Sequence, residues 1–166
     1  MANSTLIDRA GRGLLAGAVG TATMTAWQSL SAKLQNSDGD QDSQAASDPW
    51  ANAPAPAKVG RLMLRAVGYE VPADRVGLLT NVMHWGYGTA WGAVYGALMG
   101  KAAHARPVAR GLGFGAGVWV MSYVQLVPLG IYEPPWKYSP PELALDLSYH
   151  LAYGAGVGAA GALVEP

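Results

Sequence analysis

No cysteine occurs anywhere in the 166 residues, so disulfides, thiolate metal sites and cysteine nucleophiles are excluded together. Charge is scarce as well. Eleven basic and eleven acidic side chains cancel to a net charge of zero, which leaves none of the basic footprint that a nucleic-acid partner requires. The sequence also lacks a nucleophile elbow, a phosphate-cradling loop and an HExxH zinc helix, the local signatures of hydrolases, nucleotide enzymes and metalloproteases. These absences point to a protein that is not an enzyme and has no metal centre.

What is abundant is glycine, 22 residues of it, within a chain that is half apolar. Four apolar stretches stand out, at 13–30, 78–100, 111–131 and 143–164, each near the ~20 residues that cross a hydrocarbon core of ~30 Å. The expected fold class is therefore all-α: a polytopic membrane protein with four transmembrane helices, formed by a duplicated helix pair, and a short amphipathic helix in the first connection. Arg9 and Arg12 precede the first stretch as in a signal peptide, but Ser29-Leu30-Ser31-Ala32 is a poor cleavage site and the stretch is expected to be retained.

The duplication is visible in two motifs. His84-x-x-Tyr87-Gly88-x-x-x-Gly92 returns as His150-x-x-Tyr153-Gly154-x-x-x-Gly158, and Arg12-Gly13-Leu14-x-x-Gly17-Ala18 returns as Arg110-Gly111-Leu112-x-x-Gly115-Ala116. One domain, 1–166, then contains repeat one at 10–101 and repeat two at 108–164. Gly13, Gly17, Gly88, Gly92, Gly96, Gly111, Gly115, Gly154 and Gly158 fall four apart on helical faces, where missing side chains let a second backbone approach. Between the first two stretches, 33–57 is polar and turn-rich and reads as a mobile loop. Asp38, Asp40 and Asp42 do not make a calcium loop, because Ser43 and Pro49 stand where glycine and glutamate are needed. The amphipathic helix is expected at 58–68, with Lys58, Arg61 and Arg65 opposite Val59, Leu62, Met63, Ala66 and Val67. Trp50 and Trp136 both follow proline and suit a membrane interface.

The candidate site is the polar stripe of each repeat: Thr80, His84 and Tyr87 in one, Asp146, His150 and Tyr153 in the other. Ionisable residues inside an apolar helix are functional candidates. The leading role for the histidines is as hydrogen-bonding glue on glycine-packed helices. The alternatives are a proton-sensitive pathway in a transporter or channel-like component, and bis-histidine ligation of haem b in an electron-transfer module. Zinc held by His84, His150 and Asp146 ranks below these.

The basic residues of the tail and of the second connection place both termini in the cytoplasm. The expected partners are the lipid bilayer and either a further copy or another protein of a membrane complex. The glycine-rich spans, Val127-Pro128-Leu129-Gly130-Ile131 followed by Pro134-Pro135 and Trp136, and the histidine that opens the last span resemble the YagU-like family of bacterial inner-membrane proteins. That resemblance implies a plasma-membrane location and this architecture, but no site residues. The acidic, alanine- and proline-rich first connection departs from the family pattern.

Overall fold

The computed structural model describes residues 5–36, 48–99 and 104–164. Within them five α-helices follow one another: α1 (Leu6–Asn36), α2 (Ala55–Ala66), α3 (Val76–Met99), α4 (Pro107–Leu126) and α5 (Pro140–Val164). Two of the helix starts are written as capping boxes. Thr5 N–H donates to Asp8 Oδ2 (2.9 Å) and Asp8 N–H to Thr5 Oγ1 (3.2 Å) at α1, while Ser139 N–H donates to Glu142 Oε2 (2.8 Å) ahead of α5. The Thr5 and Ser139 hydroxyls, which also donate to these carboxylates (2.8 and 2.7 Å), and then the backbone N–H groups hold both carboxyls below their ordinary range. Prolines set the other boundaries: Pro107 opens α4 behind Arg106 in a left-handed conformation, and α4 stops at Leu126, two residues before Pro128.

Glycines decide how the helices pair. In the first pair, α1 against α3, Gly13 lies on the Gly92 backbone, Gly17 on Gly88 and Gly92, and Gly96 on Arg9 and Gly13. In the second pair, α4 against α5, Gly111 lies on Gly154 and Gly158, and Gly115 on Gly154 and the His150 carbonyl. The glycines expected to pack thus lie in two antiparallel ladders where backbone meets backbone, except that Gly88 faces the Thr21 side chain. Gly11, Gly77, Gly86, Gly113 and Gly117 have open space instead.

The pairs join along α1 and α5, where Gly20 and Gly156 face each other and a Cβ on Gly156 would sit 2.9 Å from the Gly20 Cα. The duplicated positions in α4 and α3 carry Val118, Ala90 and Trp91 in place of Gly20, Gly156 and Val157. Of these, Val118 and Trp91 line the space between α3 and α4, and Ala90 is exposed. What bridges the two helices is a ring cluster, with Phe114 edge-on to Trp91 (6.0 Å) and Tyr95 (5.0 Å). One seam is closed and its duplicate is open.

The sequence expectation of four membrane spans is overturned. Among the described residues, no helix is long and apolar enough to cross a membrane, so the transmembrane architecture and the integral inner-membrane location inferred from it are withdrawn. Length is not the cause, since the 24 residues of α3 rise ~36 Å at 1.5 Å each. Composition is. Glycine, tyrosine and tryptophan count as apolar letters but add nothing to the mean hydropathy of a span, and Asn81 and His84 in α3, or Asp146 and His150 in α5, subtract from it.

The first connection also differs from expectation. Lys33–Asn36, assigned to the loop, continues α1, and residues 48–57 fold back on the bundle. Trp50 is buried in a small core with Ala53, Ala57 and Val71, beneath the Arg61 guanidinium at 4.4 Å, and does not sit at an interface; Trp136 is exposed. The helix α2 rests on α3 through Gly60, against Leu79 and Met83. The acidic run at Asp38, Asp40 and Asp42, and Ser43 after it, lie outside the described residues.

Candidate functional site

The open seam holds a partly open cavity of about 230 Å³, whose lining includes Ala55, Pro56 and Val59 of α2. Five of the six candidate residues line it: His84 and Tyr87 from α3, and Asp146, His150 and Tyr153 from α5. The two repeats therefore bring their polar stripes to one space. Thr80 does not reach it. Its hydroxyl turns back to the Val76 carbonyl (2.8 Å) within α3, although it stands at the position that Asp146 occupies in the second copy.

His84 Nε2 lies 3.2 Å from Thr25 Oγ1, whose own proton goes to the Thr21 carbonyl (2.9 Å). A hydroxyl has one proton, so Nε2 carries the hydrogen and donates to Thr25. Burial, and then the nearby His150, hold this imidazole below its ordinary value of 6.5, so it is neutral at pH 7. His150 is oriented differently: Nδ1 is 2.9 Å from the Asp146 carbonyl of its own helix. A carbonyl only accepts, which fixes the proton on Nδ1. The glue role expected across helices is thus seen at His84, whereas His150 bonds within α5.

Asp146 is anchored from α4. Its Oδ2 accepts from Trp119 Nε1–H (2.8 Å) and Tyr123 Oη–H (3.1 Å), and its Oδ1 is 3.7 Å from His150 Nδ1. Burial, and then the Asp146 carboxylate, push the Tyr123 and Tyr132 phenols up and keep them neutral. Tyr153 Oη–H donates to the Gly88 carbonyl (2.6 Å), tying α5 to α3. At the mouth, Tyr87 Oη–H donates to Gln125 Oε1 (3.0 Å) across the open seam.

Thr25, Gln125, Trp119 and Tyr123 were not singled out from the sequence. The signal that could have found three of them is the repeat register itself, because Thr21 and Thr25 of α1 correspond to Trp119 and Tyr123 of α4. Positions where two copies diverge from small to aromatic mark the opened seam.

Haem b does not fit this arrangement. The cavity is smaller than the ~300–1,000 Å³ of ordinary ligand pockets, and Nε2 of His84 is engaged with Thr25. Among the described residues, no group of three or more His, Cys, Asp or Glu could hold a metal ion. No family model, no curated protein and no solved structure matches the chain.

Proposed function

We propose that this protein is a non-catalytic binding module whose cavity between α3 and α4 receives a small organic molecule. The observation that carries this is the convergence of His84, Tyr87, Asp146, His150 and Tyr153 from both repeats on one concave, mostly apolar space. Its mostly apolar wall with a few placed polar groups has the chemistry of a small-molecule site, at a volume below the ordinary range. Since an apolar cavity of ~150 Å³ holds benzene, 230 Å³ suits a molecule of roughly nine or ten non-hydrogen atoms. The test is thermal-shift titration with small alcohols, phenols and amines, repeated on Ser122→Leu, which puts a larger side chain at the cavity wall. Saturable stabilisation that Ser122→Leu abolishes is expected; stabilisation unchanged in that variant would place binding elsewhere.

We further propose that the outside of the bundle lies against a lipid surface without crossing it, and that nucleic acid is not a partner. Leu15 and Val19 on α1, Val82 on α3 and Val120 and Val124 on α4 are each about half exposed, more apolar surface than an isolated helical domain usually shows to water. Flotation with phosphatidylcholine vesicles tests this. Protein in the vesicle fraction supports it, and an oligomer that stays in the dense fraction would assign these faces to further copies of the chain.

A further inference from the structure

The chemistry of the cavity wall specifies more than size. Tyr87, Trp91, Tyr132 and Tyr153 line it, Asp146 supplies a carboxylate, and no lysine or arginine is among its lining residues. We propose that the ligand is a small organic cation of the quaternary or tertiary ammonium class, held by aromatic faces and the Asp146 carboxylate. This rests on the cavity being a binding site.

The rings are disposed as walls. Tyr87 and Trp91 meet edge to face, at 75° with centroids 6.1 Å apart, and both line the cavity with Tyr132 and Tyr153, so a compact cation there is within reach of several ring quadrupoles. The carboxylate is held for the same purpose. Trp119 and Tyr123 both donate to Oδ2, which fixes the group while Oδ1, at 3.7 Å from His150 Nδ1, is too far from that ring for a hydrogen bond and keeps its lone pairs for a ligand. The His150 proton goes to a backbone carbonyl and does not neutralise the carboxylate. A neutral apolar molecule would leave this negative charge facing it in a partly dry space, a penalty that a cation converts into attraction.

The experiment is calorimetric titration of the full chain at pH 8 with choline and with 3,3-dimethyl-1-butanol, which has the same shape and no charge. Choline is expected to bind at least about tenfold more tightly, the scale of a desolvated cation–π and carboxylate contact. Asp146→Asn should remove that preference and leave the alcohol's affinity unchanged. Because Asp146 also anchors two side chains, Tyr87 at the exposed mouth provides a second variant: Tyr87→Phe should keep choline affinity and Tyr87→Leu should lose it, with helical circular dichroism unchanged. Binding of the alcohol as tight as that of choline overturns the cation assignment and leaves the cavity as a binding site. Binding of neither overturns both, and choline affinity indifferent to Asp146→Asn and Tyr87→Leu alike overturns the assignment of these walls.

Discussion

Replacing Gly17 with alanine tests whether the glycine ladders hold this fold together. A Cβ built on Gly17 would lie 2.8 Å from the Gly88 carbonyl oxygen, the Thr89 carbonyl oxygen and the Gly92 Cα. All three are backbone, so no side chain can swing aside. Ordinary contact begins at 3.4 Å, and α1 and α3 must therefore separate locally by about 0.6 Å (3.4 − 2.8 Å), loosening the neighbouring rungs at Gly13 and Gly92. Overpacking of this kind costs ~1–3 kcal/mol. Alanine gains ~0.5–1 kcal/mol over glycine in a helix interior, which offsets part of the loss. Gly11, on the same helix with nothing within 4 Å, isolates that gain. Gly11→Ala should melt higher and Gly17→Ala lower, and the difference between them, about 1–3 kcal/mol, corresponds to ~2–12 °C for a chain of this size. Thermal unfolding followed at 222 nm reads it directly. Equal shifts in the same direction would mean that α1 and α3 do not meet along this face.

Tyr95 is 1% exposed and its hydroxyl is buried with no hydrogen-bond partner among the described residues; Tyr95→Phe should stabilise by ~1 kcal/mol in urea unfolding, because the same ring stays and the orphaned oxygen goes, and a loss of stability would reveal a partner. His84 has a lowered folded-state pKa from burial and His150, so its contribution to stability is complete above pH 6.5 and is lost as pH falls below that value, where the unfolded chain takes up a proton that the folded one resists. The variant His84→Gln should therefore lose less stability than the native protein between pH 7 and pH 5. Parallel pH profiles for the two proteins would show that His84 is accessible to protons in the fold.

The ladders and the convergence of the histidine stripes were legible because they depend on spacing: glycines four apart, and Tyr three residues after His, keep their relation on any helix. The capping boxes at Thr5–Asp8 and Ser139–Glu142 were equally readable and were passed over. The cavity was harder, since it arises where the copies differ, at Val118 and Trp91, and a search for similarity discounts those positions. Membrane spans were inferred by counting apolar letters over windows in which glycine and tyrosine stood for much of the count. Burial of Trp50 depended on Arg61 and on the return of the first connection to α3, contacts distant enough in sequence that no local pattern carries them.

The two helix pairs are closed by connections of very different length, and this sets the order in which the bundle assembles. From Asn36 to Val76 there are 39 intervening residues (76 − 36 − 1), and from Leu126 to Pro140 there are 13 (140 − 126 − 1). Loop-closure entropy grows as (3/2)RT ln n, so a threefold longer connection costs ~1 kcal/mol more to close, roughly a fivefold difference in the rate of first contact. The pair α4 and α5 then docks first, and its finished face, with Gly156 and Val157 presented, is the template on which α1 condenses. Alanine substitutions along α4 and α5 should accordingly slow refolding, while those along α1 and α3 should mainly speed unfolding. The second copy serves as the folding nucleus for the first.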